Sequence, residues 1–184
     1  MHPLLDNIIW HALVGPLSSY SVGSARARRF APDFSPILGF ADPSAPAFED
    51  LVTHCQPGET FYAADWTGPV PPGWSIAEET TMFRMVWSPG SSIPSLPTGP
   101  APTRLGPEHS SAALALALLT KPGPFGLRTI ELGDYYGFFE HGDLIAMAGE
   151  RFHAGDFREI SGVCTHPAWQ GRGLARHLMI VRQQ

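Results

Sequence analysis

The stretch EISGVCTHPAWQGRGLAR, residues 159–176, decides the fold of this 184-residue chain. Its first part, as far as Thr165, has the β-branched and small residues of a strand, and Pro167 ends that strand. Gly171 and Gly173 follow in a short loop, after which apolar residues recur at helical spacing. Glycines leave the backbone uncluttered, so successive N–H groups can point at one anion, and the next helix begins with its positive dipole end. The stretch therefore predicts a strand, a pyrophosphate-binding loop and a helix.

Two better-known phosphate-binding loops are excluded by the same residues. The nucleotide P-loop needs a Gly-Lys-Ser/Thr sequence, which the chain lacks. The dinucleotide fingerprint needs a third glycine, and Arg176 stands where that glycine would follow Gly171 and Gly173. The loop is thus of another kind.

The segment resembles motif A of the GNAT superfamily of N-acetyltransferases, whose Gln/Arg-x-x-Gly-x-Gly/Ala signature is met by Gln170, Gly173 and Ala175. Gly171, Pro167 and the preceding strand-like Val163-Cys164-Thr165 add context to a signature that is weak by itself. The resemblance covers about residues 105–184, and the sequence there is similar to a bacterial subgroup of the family. Its upstream part consists of Thr120-Lys-Pro-Gly-Pro-Phe, Arg128-Thr129, Leu132-Gly133, Tyr136-Gly137 and Leu144-Ile-Ala-Met-Ala-Gly-Glu-Arg151.

The resemblance implies an α/β (α+β) fold with a mixed, mainly antiparallel sheet flanked by helices. It also implies direct acetyl transfer from acetyl-CoA to a primary amine of a small molecule or protein, with no covalent enzyme intermediate. In the family, strand backbone matching Val163 and Thr165 pairs with the pantetheine arm, and amides matching Gly171 to Arg176 hold the pyrophosphate. The residues implied for cofactor binding are Val163, Cys164, Thr165, Gln170, Gly171, Arg172, Gly173, Leu174, Ala175 and Arg176.

Such a transfer needs a base that takes the amine proton, and a carboxylate working through water can do so. Glu159 is the first candidate and Glu150 the second, although a glutamate at a strand end is more often simply solvated. Cys164 is interpreted as a small buried apolar residue rather than a nucleophile. The spacing of His166 and His177 fits no zinc site, and the chemistry requires no metal.

Proline and glycine content divides the chain. Residues 1–87 are expected to form a small α/β unit, the Pro/Ser/Gly-rich residues 88–106 a linker, and residues 107–184 the acetyltransferase domain. In the first unit, helical spacing covers Leu4 to Leu13 and a second helix carries Phe48 to Cys55, with strands at Phe61–Asp65 and Met82–Trp87. The second part is expected to contain a helix at Ala112–Leu119, a hairpin of Tyr135–Glu140 and Leu144–Phe152 that turns at His141-Gly142-Asp143, and a strand at Phe157–Thr165.

Charge and cysteine content limit which classes of partner and which cellular compartment we expect. A net charge of −5 argues against nucleic acid as a partner, although residues 160–184 contain three arginines and no Asp or Glu, which suits a small anion. Cys55 and Cys164 lie far apart and indicate neither a disulfide framework nor a zinc pattern, so we expect a reducing cytoplasm. Neither a signal peptide nor a membrane span is indicated. The sequence leaves open whether the protein forms a homo-oligomer.

The pattern departs from the family at the C-terminus, because the chain stops inside the helix after motif A. We therefore expect either a truncated sequence or a partner that completes the fold, with the general acid lying beyond residue 184. Residues 1–87 are compared by analogy with a degenerate half-GNAT unit. Two other hypotheses are a non-catalytic acyl-CoA-binding or interaction module and a structural remnant.

Overall fold

The computed structural model describes residues 2–66, 68–87, 90, 95 and 99–181. These residues form two four-stranded sheets with helices packed on their faces. The helices are α1 (Pro3–Asp6), α2 (Ile8–Val14), α3 (Ser110–Thr120) and α4 (Leu174–Val181). The strands are β1 (Ser21–Gly23), β2 (Ala27–Phe30), β3 (Ile37–Phe40), β4 (Tyr62–Ala63), β5 (Thr103–Leu105), β6 (Tyr135–Glu140), β7 (Asp143–Ala154) and β8 (Phe157–Thr165). Short 3₁₀ turns occupy Ser18–Tyr20, Phe48–His54, Pro107–His109, Thr129–Glu131 and Pro167–Trp169.

The two sheets follow the order of the chain. The first sheet has the order β1-β2-β3-β4, antiparallel except for the parallel pair of β3 with β4. The second sheet has the order β5-β6-β7-β8 and is antiparallel throughout. The predicted fold class, mainly antiparallel strands flanked by helices, is thereby confirmed.

The second sheet is built by strong local signals. His141 and Gly142 both have positive φ, at 52° and 95°, which is the backbone that a tight hairpin between β6 and β7 requires. The predicted hairpin and the predicted strand Phe157–Thr165 are confirmed. Alternate residues of the sheet face two helices: α3 covers the side that contains Tyr135 and Met147, and α4 packs on the side that contains Ala146 and Ala148.

Several predictions for the first part of the chain are wrong in detail. The helix predicted from Leu4 to Leu13 is divided at Asn7 into α1 and α2. The Asn7 side-chain amide donates a hydrogen bond of 2.8 Å to the Phe40 carbonyl, and this contact holds Asn7 in a non-helical conformation. The segment Phe48–His54 is a 3₁₀ helix rather than an α-helix. The predicted strand at residues 61–65 shrinks to β4.

The segment Met82–Trp87 forms no strand, and Phe83 and Met85 are 89% and 91% exposed. Residues 103–105, which composition assigns to the linker, form β5 and pair with β6. Most of the remaining predicted linker, and residues 182–184 of the predicted acetyltransferase domain, lie outside the described residues.

The two sheets share a core. Leu13 and Phe30 from the first part pack with Leu132 and Phe152 from the second, and the rings of Phe30 and Phe152 stack with centroids 5.9 Å apart. A second junction joins backbones, since the Arg128 N–H donates to the Asp33 carbonyl at 2.7 Å. The first part of the chain therefore supports the sheet that contains β8.

Candidate active site

A cavity of about 450 Å³ opens at the β8 edge of the second sheet. We call it the main cavity. Its walls are the end of β8, the end of α3, the loop after β8 and the start of α4. It is lined by Thr120, Pro122, Val163, Cys164, Thr165, Trp169, Gln170, Gly171, Arg172, Gly173, Leu174, Ala175 and Arg176. The structure thus brings together all ten residues that sequence analysis named for cofactor binding.

The loop that links β8 to α4 is held by hydrogen bonds at its start. The His166 N–H donates to the Ile145 carbonyl at 2.8 Å, which ties the loop to β7. The His166 ring accepts from the Ala168 N–H at 3.2 Å, which caps the 3₁₀ turn Pro167–Trp169. The Gln170 side-chain amide donates to the Thr165 carbonyl at 3.3 Å. The loop therefore leaves β8 in a fixed direction.

Residues 170–173, the glycine loop, present open backbone to the main cavity. Gly171 and Gly173 have φ of 76° and 77°, in the left-handed region that L-residues with a side chain adopt only with strain. A Cβ added to either glycine would meet no atom within 4 Å other than its chain neighbours. The space in front of both glycines is therefore accessible to a bound group. Because α4 begins at Leu174, the helix dipole adds positive potential at the same place.

Two arginines give the main cavity a cationic wall. The Arg172 guanidinium lies over the Trp169 ring, 4.2 Å from its centroid, in a cation–π contact that holds the side chain beside the glycine loop. Arg172 and Arg176 also line an adjoining cavity of about 290 Å³, which reaches the buried His177 and Phe138. Apolar walls with two cations suit a ligand that carries anionic groups on a long, partly apolar body.

The strand β8 contains a bulge where it meets the main cavity. Met147 is opposite Cys164 and Gly149 is opposite Ser161, so Gly162 and Val163 together face Ala148. Gly162 has φ of 60°, the left-handed backbone of a glycine bulge. After the bulge, β8 has no strand on its outer edge within the described part of the chain. Its backbone groups there can pair with an extended ligand.

Cys164 is buried and packs in the core under α3. Burial raises the pKa of its thiol, while hydrogen bonding with the Thr120 side chain and the Met147 backbone acts in the opposite direction. A raised pKa keeps the thiol protonated, and a protonated thiol is a poor nucleophile. This supports its interpretation as a small apolar residue of the cavity wall.

The two candidate bases lie on opposite faces of the second sheet, and neither lines the main cavity. Glu159 lies on the α3 side and forms two hydrogen bonds with Arg151, of 2.8 and 3.2 Å. Glu150 is opposite Ile160 on β8. Because neighbouring residues of a strand face opposite sides of the sheet, Glu150 lies on the side away from Arg151 and Glu159. Only Glu159 shares a sheet face with Cys164 in the cavity wall.

Three cavity residues were missed by sequence reasoning: Thr120, Pro122 and Trp169. Thr120 and Pro122 belong to the segment Thr120-Lys-Pro-Gly-Pro-Phe, which carried part of the resemblance but received no role. Trp169 directly precedes Gln170, and an aromatic residue next to a predicted phosphate loop was a signal available from the sequence. In the described residues, no three His, Cys, Asp or Glu side chains are grouped so that they could hold a metal ion.

Comparison with known proteins identifies the family. The family model described as FR47-like protein matches residues 135–182, a range that includes β6, β7, β8 and α4. A crystal structure of a protein from Novosphingobium aromaticivorans, assigned to the GNAT family as an acetyltransferase, is similar over 98% of this chain and 79% of its own. The two share 31% sequence identity and a TM-score of 0.70. This chain belongs to the GNAT family.

Membership of the GNAT family supports acyl transfer as the general class of reaction. The similarity includes the first sheet as well as the second, because 98% of the chain is covered. No curated protein matches the chain. Within the described residues, none of the helices has the length and hydropathy that a membrane crossing requires.

Proposed function

We propose that this GNAT-family protein transfers the acetyl group of acetyl-CoA to a primary amine. The observation that carries the proposal is the pair of left-handed glycines, Gly171 and Gly173, with open space in front of them at the start of α4. A Cβ at either position would project into this space. Such a surface suits a pyrophosphate, because its oxygens accept hydrogen bonds from successive backbone N–H groups.

The other walls of the main cavity fit the rest of acetyl-CoA. Arg172 and Arg176 supply positive charge near the pyrophosphate. The outer edge of β8 at Val163 and Thr165 offers backbone groups to the amides of the pantetheine arm. The bulge at Gly162 directly precedes Val163 on this edge, on the side away from the glycine loop. We therefore place the acetyl group near the bulge.

In the proposed reaction, the nitrogen of a neutral amine attacks the acetyl carbonyl carbon directly. The nitrogen–carbon bond forms, the carbon–sulfur bond of the thioester breaks, and the amine gives up a proton. Glu159 does not line the main cavity, but it lies on the same sheet face as Cys164 of the cavity wall. We therefore assign Glu159 as the acceptor of that proton through a water molecule. Glu150 is the second candidate.

Arg151 gives Glu159 a fixed orientation. A bidentate arginine–carboxylate pair is both strong and geometrically specific. Each carboxylate oxygen accepts one hydrogen bond from Arg151 and keeps another lone pair for a water. The pair therefore sets the direction from which a water can approach Glu159.

A second candidate function is a non-catalytic acyl-CoA-binding module. The observation that favours it is that neither Glu159 nor Glu150 lines the main cavity. In that case the glycine loop would bind acetyl-CoA, and no amine would become acetylated.

One experiment separates the two functions. Purified protein is incubated with acetyl-CoA and a panel of primary amines, including polyamines, amino acids and lysine peptides, while free CoA thiol and acetylated amine are measured. The proposed enzyme produces both in equal amounts. Acetyl-CoA binding in calorimetry without any acetylated amine supports the binding module, and the absence of binding contradicts both. We place the reaction in the cytoplasm, where reduced Cys55 and Cys164 would persist.

A further inference from the structure

The cavity of about 290 Å³ beside the main cavity received no role above, and we call it the adjoining cavity. Its volume is close to the lower limit of small-molecule sites, which is about 300 Å³. The two cavities share Arg172, Gly173, Leu174 and Arg176. A ligand that occupies the glycine loop can therefore extend into the adjoining cavity.

The adjoining cavity has a buried polar group in its wall, the imidazole of His177. His177 is 9% exposed and lines this cavity but not the main cavity. Its ring packs against the Phe138 ring in an edge-to-face contact, with centroids 5.2 Å apart. Within the described residues, no protein group forms a hydrogen bond or an ion pair with the imidazole. Because an unpaired buried polar group carries its desolvation cost, the imidazole favours a polar ligand group in the cavity.

Two arginines make an anion the preferred ligand group. In the described part of the chain, neither Arg172 nor Arg176 forms an ion pair with a carboxylate, whereas Arg151 holds Glu159. None of the residues that line the adjoining cavity is acidic, and Glu159 is the last acidic residue of the sequence. Two guanidinium groups and an imidazole that can donate a hydrogen bond suit an anion with several oxygens, above all a phosphate.

Acetyl-CoA has such a group close to its pyrophosphate. The ribose that follows the pyrophosphate bears a 3′-phosphate monoester, and a phosphate monoester has a charge of about −1.5 to −2 at pH 7. If the pyrophosphate lies at the glycine loop and the pantetheine arm follows β8, the ribose leaves the loop away from β8. The adjoining cavity meets the loop without contact to any residue of β8, so it can receive this end of the molecule.

We propose that Arg172, Arg176 and His177 bind the 3′-phosphate of the acetyl donor in the adjoining cavity. The inference rests on the acetyltransferase function proposed above and specifies the donor. The donor is a CoA thioester with an intact 3′-phosphate, in preference to a thioester of phosphopantetheine alone. His177 determines specificity and takes no part in the chemical step, because it lies outside the main cavity, in which the thioester is placed.

Calorimetry with free CoA and with dephospho-CoA tests the inference without any catalysis. The two ligands differ only in the 3′-phosphate. Wild-type protein should bind CoA at least about tenfold more tightly, since hydrogen bonds between charged groups typically contribute that much. Equal affinities overturn the inference and leave the proposed function intact. If neither ligand binds, the proposed function fails and the inference fails with it.

His177→Phe tests whether the preference for CoA arises in the adjoining cavity. This variant keeps an aromatic ring beside Phe138 and loses both ring nitrogens. CoA affinity should fall about threefold or more, while dephospho-CoA affinity should stay within about twofold because His177 does not line the main cavity. His109→Phe is the matched control, since His109 packs against Phe139 of the same strand and lines neither cavity. An unchanged preference for CoA in His177→Phe overturns the inference.

Arg176→Gln gives a second variant should His177→Phe fold poorly, because Arg176 is exposed. Arg176 lines both cavities, so the affinity ratio of CoA to dephospho-CoA is the value to compare. We expect this ratio to fall about threefold or more. Arg158→Gln, which removes an exposed arginine that lines neither cavity, should keep the wild-type ratio. A wild-type ratio in Arg176→Gln overturns the inference.

Inorganic phosphate tests the other source of a phosphate group, a free anion. Phosphate is titrated into wild-type protein and into His177→Phe in the absence of any nucleotide. Phosphate that binds only the wild-type protein, together with equal affinities for CoA and dephospho-CoA, would make the free anion the ligand and overturn the inference. A tenfold preference for CoA that is reduced in His177→Phe and in Arg176→Gln supports the 3′-phosphate.

Discussion

The Arg151 guanidinium holds the Glu159 carboxylate through two hydrogen bonds, with Nη2–Oε1 and Nε–Oε2 distances of 2.8 and 3.2 Å. The two side chains are 11% and 30% exposed. A third nitrogen of the same guanidinium donates to the Pro124 carbonyl at 3.0 Å, in the segment that follows α3. One arginine thus joins β7, β8 and the segment that follows α3 around the proposed base.

If Glu159 takes the amine proton, Glu159→Gln should lower kcat by a factor of about 100 or more, the range in which general bases contribute. Acetyl-CoA affinity should stay within about twofold, because Glu159 does not line the main cavity. Steady-state kinetics and calorimetry give the two values. Glu150→Gln is the control and should keep kcat.

Glu159→Gln also leaves Arg151 without its anionic partner. Because the pair is only partly buried, the expected loss of unfolding free energy is about 1–2 kcal/mol, less than for a fully buried pair. Urea unfolding therefore shows whether the variant remains folded in the assay. A folded Glu159→Gln with wild-type kcat removes Glu159 from the mechanism and leaves Glu150 as the candidate.

The stacking of Arg172 on Trp169 predicts a contribution to cosubstrate binding. Trp169→Ala should weaken acetyl-CoA binding about two- to fivefold, since an exposed cation–π contact contributes about 0.5–1 kcal/mol. Arg172→Lys keeps the charge but loses the flat stacked guanidinium, and we expect a similar loss. Calorimetry measures both. Unchanged affinity in the two variants would mean that the stack plays no part in binding.

The close contact of Gly149 with Tyr135 predicts a large destabilisation on adding one methyl group. Gly149→Ala should cost about 1–3 kcal/mol of unfolding free energy, the usual range for overpacking in a core. A double-mutant cycle with Tyr135→Leu tests the cause, because a smaller side chain makes room for the added methyl group. Strictly additive costs would show that the strain lies elsewhere.

The ion pair of Glu59 with Arg29 should make the free energy of unfolding depend on pH. Hydrogen bonds from the buried Arg29 hold the pKa of the Glu59 carboxyl below its usual 4.5 in the folded protein. A depressed folded-state pKa adds stability that is present above 4.5 and is lost as the pH falls through the folded value. Wild-type protein should therefore exceed Glu59→Gln in unfolding free energy near neutral pH, and the difference should shrink in acid.

Urea titrations of both proteins, at about pH 7 and about pH 3, check this. Glu49→Gln is the control, because Glu49 pairs with Arg26 on the surface and exposed pairs contribute little. A difference that stays constant with pH would contradict the assignment.

The second sheet could be predicted because its signals are local. The turn at His141-Gly142 and the strand-forming residues of β8 depend on neighbouring residues only. The first part of the chain depends on distant contacts instead. The break at Asn7 exists because its side chain reaches Phe40, and Met82–Trp87 has the composition of a strand but no strand beside it in the described residues. Strand formation needs a partner as well as suitable residues.

The candidate site divides in the same way. The ten residues named for cofactor binding are close in sequence, so one motif predicts them together, although their role stays a prediction. Thr120 and Pro122 reach the cavity only through the packing of α3 on the sheet. The alignment of Tyr135 with Gly149 and Ser161 follows from a strand register that no local pattern reveals. The division into residues 1–87, 88–106 and 107–184 remains a proposal.

The central claim is that the glycine loop binds the pyrophosphate of acetyl-CoA, and calorimetry on Gly173→Glu tests it most directly. The new carboxylate would project into the open space in front of the loop and repel the phosphates. Gly58→Glu is the matched control, since Gly58 has a similar φ of 84° and equally open surroundings away from the main cavity. We predict that acetyl-CoA binds the wild-type protein and Gly58→Glu alike but fails to bind Gly173→Glu. Equal affinity of all three proteins would contradict the account.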